Sequence, residues 1–123
     1  SIKNLQFIQK TGKQLRDYIC INDSVSLMIK VGECEKSNNK IYNVGGGQHI
    51  SLIDMARKII KISQKGRIRH IKWENDYKKI ETGDFYCSIA KIKRELNCEP
   101  KVNIDEGISN SITYYKNKLK FKK

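Results

Sequence analysis

Gly12-Lys13-Gln14-Leu15-Arg16-Asp17-Tyr18-Ile19-Cys20-Ile21-Asn22-Asp23 is the stretch on which the reading of this chain turns. It puts one arginine and one aspartate at the head of a short apolar run, so Gln14 to Ile21 is predicted to be a strand. Asn22, Asp23 and Ser24 come next, all types whose side-chain oxygen accepts a helix N–H, so the strand is predicted to run straight into a helix start. Val25, Met28, Ile29 and Gly32, at i, i+3, i+4 and i+7, give that helix its predicted inward face. An arginine at a strand edge can offer two parallel N–H bonds to a phosphate. It can equally pair with Asp17 or Asp23 and brace a loop, and the residues alone leave both open. Tyr18 alternates with Arg16 on one side of a strand, so its ring either lines the same pocket or packs into the core. Asp17 points the other way and reads as structural, and Asp23 reads as a helix cap.

Working outward, Leu5 to Ile8 is a predicted strand that ends in the turn Lys10-Thr11-Gly12. Ile41 to Val44 is a brief predicted strand stopping at Gly45-Gly46-Gly47. Ser51 and Asp54 resemble a capping box, and Leu52, Met55, Ala56, Ile59 and Ile60 behind them keep helical spacing up to Gly66. Ile68 to Trp73 reads as a strand and Glu74 to Phe85 as an irregular loop. A short helix follows, capped by Ser88, with Ile89, Ile92 and Leu96 inward, and Pro100 ends it. Asn103 to Glu106 opens a last helix with Ile104, Ile108, Ile112 and Tyr115 along one stripe. Strands and helices alternate, so the fold class is mixed α/β. About four short strands suit an appended lobe better than a complete doubly wound sheet.

The 123 residues, 38% hydrophobic and 31% charged, fit one domain with a modest core. No apolar run approaches the ~20 residues of a membrane span. No charged-then-apolar leader opens the chain, and the absence of a starting Met suggests a fragment. Cys20, Cys34, Cys87 and Cys98 are scattered and His49 and His70 lie far apart, so no metal site is expected and free thiols in a cytoplasmic setting are. The net charge of +12 raises a nucleic-acid hypothesis. The cations are spread along the chain and mostly Lys, and the Lys116 to Lys123 cluster reads as a helix end, where the backbone dipole favours cations. Solvated surface is the better reading.

Gly45-Gly46-Gly47 invites a phosphate-loop reading but fails on spacing. A dinucleotide fingerprint needs Gly-x-Gly-x-x-Gly leading into the helix and an acidic residue about twenty positions on. A flexible turn into a capped helix fits instead.

The opening run resembles the Gly-x-Gln-x-Arg-Asp-(Tyr/Phe)-Ile-x-Val-x-Asp segment of the NAD-dependent nucleotide-sugar epimerases and dehydratases, the extended short-chain dehydrogenase/reductase family. Tyr42-Asn43-Val44-Gly45-Gly46-Gly47 with Ser51 is similar to a second family segment, and the stretch from Asp84 through Lys91, Pro100 and Gly107 to a third. The landmarks follow the family's order from about Leu5 to Tyr115. Asn97-Cys98 departs from the family's Gly-(Trp/Tyr), which removes a C-cap glycine and an aromatic plug and predicts looser packing under Pro100. Tyr114 and Lys118 have the family's catalytic Tyr-x-x-x-Lys spacing, but the true pair precedes these landmarks, so the spacing reads as coincidence.

The resemblance implies that residues 1–123 form a single C-terminal, nucleotide-sugar-binding lobe, with the Rossmann half absent. It implies that Arg16 contacts the diphosphate, that Tyr18 lines the same pocket, and that Asp84 in the Gly83-Asp84 element accepts ribose hydroxyls. Glu81 and Tyr77 stand where the family carries arginine. Lys79, beside Lys78, would then replace the missing clamp as a point charge without the bidentate fork. The implied partners are a nucleotide-sugar substrate and the missing half, with no membrane. No cofactor is expected in this chain, NAD is expected in the full-length enzyme, and no catalytic residue is assigned. The alternatives are a small basic nucleic-acid-binding module and a degenerate, non-functional remnant.

Overall fold

The computed structural model describes residues 5–8, 11–71 and 82–120. Two small ladders organise it. β1 (Leu5–Ile8) pairs in parallel with β4 (Ile68–Ile71). β2 (Leu15–Asp17) pairs antiparallel with β3 (His49–Ser51), setting Leu15 opposite Ser51, Arg16 opposite Ile50 and Asp17 opposite His49. Phe85 forms a further parallel bridge to Arg16. The helices are α1 (Ile21–Glu33), α2 (Leu52–Ser63), α3 (Ala90–Leu96) and α4 (Ile104–Lys120), with a 3-10 turn at Glu35–Ser37. The mixed α/β class expected from the alternation of elements is what the chain adopts. None of its described helices is long and apolar enough to cross a membrane.

α2 forms where its sequence pattern puts it. The Ser51 Oγ accepts from the Asp54 backbone N–H at 3.1 Å and donates to Asp54 Oδ2 at 2.6 Å. Ile53, Met55 and Ala56 are buried, and Leu52, Ile59 and Ile60 are half-buried. Gln64 ends the helix in the left-handed region, ahead of Gly66. At its start, the Ile53 and Leu52 N–H groups donate to the carbonyls of Gly12 and Gln14. This hooks the turn before β2 onto α2.

The second strand is shorter than its apolar run suggests, and the helix after it begins earlier. β2 stops at Asp17, and α1 starts at Ile21 behind Cys20, which makes no side-chain cap. Asp23 is therefore not a cap. It lies in the first turn of α1, buried, and its Oδ2 accepts from the N–H groups of Lys101 and Val102 at 2.9 and 2.7 Å. The inward face of α1 is also not the predicted one. Leu27 is buried against Ile92 and Cys98, with Val31 packed beside it. Val25, Met28 and Ile29 point outward. Periodicity identified a helix here but could not choose between two apolar stripes on the same cylinder.

Ile41–Val44 forms no strand. Tyr42 and Val44 pack on the core while Ile41 is exposed, and the ladder begins only at His49. β4 ends at Ile71, and Trp73 lies outside the described residues. In α3, Ile92 is fully buried; the N-cap is Ile89, which makes no side-chain cap, rather than the expected Ser88, whose Oγ accepts from the Ala90 N–H at 3.3 Å in the turn just before the helix. The Asn97-Cys98 departure does not loosen the helix end. Asn97 adopts the left-handed C-cap at φ 50°, which asparagine tolerates second only to glycine, and Cys98 fills the core. Asn103 Oδ1 caps α4 through the Glu106 N–H at 2.9 Å. Ile108 is buried and Ile104 and Ile112 half-buried, but Tyr115 is exposed, so the stripe ends one turn sooner than predicted.

Candidate functional site

The head of β2 collects three distant segments. The Asp84 carboxylate accepts from the Leu15 N–H at 2.8 Å, and the Phe85 N–H donates to the Leu15 carbonyl at 3.0 Å. Residues 84–85 thus lie along β2. Arg16 Nη1 donates to the Leu15 carbonyl at 2.9 Å and to the Gly83 carbonyl at 2.5 Å. The arginine therefore braces a loop through carbonyls, a variant of the bracing role that the sequence left open. The structure brings Arg16 and Asp84 to one place from 68 positions apart. Lys79, with Tyr77, Lys78 and Glu81, lies outside the described residues.

On the other side of β2, Asp17 is a junction. Its Oδ1 accepts from the Gly46 N–H at 2.7 Å, and its Oδ2 lies 3.4 Å from both the N and the Sγ of Cys87. Burial, then the Asp17 carboxylate, push the Cys87 thiol above its ordinary pKa and keep it protonated. The structural reading of Asp17 matches this geometry.

The triple glycine is not a flexible turn. A methyl on Gly46 would overlap the Tyr18 carbonyl oxygen, and one on Gly45 would overlap the Asp17 carboxylate and crowd the Cys87 sulfur. Gly47 sits at φ +71°, where a side chain is strained. These glycines are needed because the backbone presses on β2. The space beside Gly45 and Gly46 is filled by protein, so this loop offers no cradle for a cofactor phosphate. This loop does not fit the phosphates of NAD.

Tyr18 lies past the end of β2, so strict alternation with Arg16 does not extend to it. Burial raises its pKa and the nearby Arg16 charge opposes the rise, which places the phenol within electrostatic reach of the guanidinium. Its side lines a shallow cavity of about 140 Å³ with Gly46, Gln48, Lys101 and Asn103. Sequence reasoning did not single out Gln48, Lys101 or Asn103. Nothing local marks them as cavity residues: Gln48 is brought beside Tyr18 by the β2–β3 pairing of Asp17 with His49, and residues 101–103 by the Asp23 clamp on Lys101 and Val102. His49 and Tyr86 stack beside β3 with ring centroids 4.4 Å apart. Tyr114 and Lys118 form an exposed cation–π pair, 5.6 Å from ammonium to ring centroid, on α4. No group of three or more His, Cys, Asp or Glu suited to a metal occurs among the described residues.

No family model matches the chain. It is 26% identical over 110 residues to a UDP-glucuronate 4-epimerase of Thermodesulfobacterium geofontis, covering 88% of this chain and 32% of that protein. A UDP-glucose 4-epimerase of Thermotoga maritima, solved with UDP-glucose, superposes with a TM-score of 0.82 at 20% identity over 94% of this chain and 36% of its own. A dTDP-glucose 4,6-dehydratase of Bacillus anthracis, solved with NAD, gives 0.80 at 21% identity over 96% and 36%. The chain thus spans about a third of the length of the proteins it matches. Sequence relatives and fold agree with the ordered landmarks: the chain is similar, over nearly its whole length, to the C-terminal part of nucleotide-sugar epimerases and dehydratases, the extended short-chain dehydrogenase/reductases.

Proposed function

We propose that this chain is the substrate-binding part of an NAD-dependent nucleotide-sugar epimerase or dehydratase, and that Arg16 holds the diphosphate of the sugar nucleotide. One observation carries the reading: Arg16 and the Gly83-Asp84 element, remote in sequence, meet at the head of β2. The two carbonyl bonds fix the guanidinium in place, so little side-chain freedom is left to lose when an anion docks. Asp84 is held by the Leu15 N–H at the same edge, where a carboxylate can accept ribose hydroxyls. Tyr18 flanks the arginine, and the second positive charge is assigned to Lys79, four positions before Gly83 in the sequence.

The reading assigns cofactor and proton-transfer chemistry to the part of the relatives that this chain does not span. NAD would there take up the hydride of a sugar carbon. The Gly45–Gly47 loop, pressed against protein, supports that division. The chain alone therefore binds nucleotide sugar weakly and turns nothing over, because efficient catalysis needs its reacting groups held together. Four free thiols and the protonated Cys87 suit a reducing, cytoplasmic setting.

The test is an amide-resolved NMR titration with UDP and dTDP. The expected result is millimolar binding with shifts concentrated on residues 15–18 and 83–85. Shifts confined elsewhere, or NAD-dependent turnover by this polypeptide alone, would overturn the proposal.

A further inference from the structure

The net charge of +12 is not evenly spread once acids are counted together with bases. Met55 to Trp73 holds seven Lys or Arg and no Asp or Glu, and Gly107 to Lys123 holds five Lys and no Asp or Glu. These two segments carry the whole excess, and the rest of the chain is balanced, acid for base.

Folding makes the two segments neighbours. α2 packs on α4, and Lys58 Nζ meets Asp105 Oδ1 at 2.6 Å across them. The chain leaves α2 through a tied corner, where Gln64 Nε2 donates to the Lys61 carbonyl at 2.6 Å and Ser63 Oγ accepts from the Lys65 N–H at 3.2 Å. β4 follows, with Ile68 and Ile71 half-buried and Arg69 and His70 exposed. No acidic residue stands opposite these two in the ladder, where Arg69 pairs with Gln6 and His70 with Phe7. Of the acids that flank the segments, Asp54 and Asp105 are taken up by Arg57 and Lys58. Lys61, Lys65, Arg69, Lys116 and Lys118 are exposed and form no ion pair among the described residues. A helix end attracts cations, which accounts for Lys61 and Lys65. It does not account for Arg69, which lies on a strand.

A surface of one sign attracts a polyanion, and the aromatic side chains choose which. Tyr114 and Tyr115 are each 58% exposed, set edge to face at 5.3 Å, with Lys118 Nζ 5.6 Å from the Tyr114 ring centroid. Exposed rings among cations are stacking platforms for the bases of a single strand. A membrane-surface helix instead turns a broad apolar face outward. α4 turns its isoleucines inward, Ile108 buried and Ile104 and Ile112 half-buried. We infer that the surface formed by α2, β4 and α4 binds single-stranded nucleic acid without sequence preference, its cations tracking phosphates while Tyr114 and Tyr115 stack on bases. Arg16 and Asp84 lie on other elements, so this binding is separate from that of a sugar nucleotide.

Fluorescence anisotropy of the full chain with a labelled oligothymidine of about 20 nucleotides is the test. Affinity should fall with salt at a log–log slope of about −3, the value for four or five neutralised phosphates on a single strand. Lys61→Glu/Lys65→Glu/Arg69→Glu should weaken binding at least about tenfold and flatten the slope by about 2. Lys13→Glu/Lys30→Glu/Lys36→Glu makes the same charge change at exposed positions elsewhere and should stay within about threefold of wild type. Tyr114→Ala/Tyr115→Ala should weaken binding about tenfold and leave the slope unchanged. Equal losses in the two charge variants would show that only net charge is read, and would overturn the inference. So would an absence of binding, an unaffected tyrosine variant, or tighter binding to phosphatidylserine vesicles than to the oligonucleotide. Displacement of the strand by excess UDP would place it at Arg16 and overturn the inference while leaving the proposed function standing. Where the charge-reversed variant does not fold, Lys61→Gln/Lys65→Gln/Arg69→Gln decides on the same criteria.

Discussion

Two neighbouring regions of the molecule, β2 and α1, treat their side chains in opposite ways. Around β2, Arg16, Asp17 and Asp84 are tied to backbone groups from residues 15, 46, 83 and 87, and the glycines at 45 and 46 exist to let those groups approach. Three residues beyond the strand, α1 satisfies only one side of itself, through Leu27 and Asp23, and leaves an apolar stripe outside. The contrast teaches where selection for the chain's own fold ends. Residues of the β2 junction bind distant segments to one another, whereas those of the outer α1 face keep 46–71% of their surface exposed. Mutations should therefore separate the two regions cleanly.

The largest effect is expected at Gly46. Gly46→Ala forces a methyl against the Tyr18 carbonyl, and chemical denaturation should show a loss of about 3 kcal/mol or more. A tolerated alanine would mean that the loop is as pliable as its sequence suggests. Next comes Asp23→Ala, which strands the N–H groups of Lys101 and Val102 and should cost about 2–3 kcal/mol. Its hydrogen-exchange signature should appear in residues 100–104, remote in sequence. The outer face of α1 supplies the opposite extreme, because Val25→Ser should change stability by less than about 0.5 kcal/mol.

A smaller effect separates acid from neutral pH. The bonds from Lys40, then Tyr42, to Glu95 lower the carboxyl pKa, and the Ser51 and Arg57 side chains lower that of Asp54. A depressed carboxylate contributes stability that is complete above its ordinary pKa, about 4 for both residue types. It is lost as pH falls through the lower folded value. A melting series from pH 6 to 3 should decline at the acid end, and Glu95→Gln should flatten part of that decline. An unchanged slope would show that the pair contributes nothing.

Much of this architecture was legible in the sequence, and the exceptions share a physical cause. α2 was readable because its cap and its apolar face are local, α3 because Ile89, Ile92 and Leu96 keep helical spacing, and α4 because Asn103 caps its start. The buried side of α1 was not, since two stripes of similar apolarity compete and only tertiary contact with Ile92 and Cys98 chooses between them. Asp23 looked like a cap because aspartate caps helices, and its real partners lie 78 and 79 positions away. The triple glycine looked pliable because sequence cannot show a backbone pressed against a carbonyl. Of the candidate site, Arg16 and Asp84 were found through their resemblance to a family pattern. Gln48 and Lys101, which share a cavity with Tyr18, carry no signal of their own, and Asn103 signals only a helix start.

On the proposed reading the β2 junction serves a ligand as well as the fold, and Arg16 is where the two roles part. Calorimetric titration of UDP into the wild-type chain and into Arg16→Lys and Arg16→Gln compares them directly. Both variants should remain folded, at a cost of about 1 kcal/mol for the lost carbonyl bonds. UDP affinity should fall at least about tenfold in Arg16→Lys, which keeps the charge but not the fork, and further in Arg16→Gln. Equal UDP affinity in all three folded proteins would contradict the account.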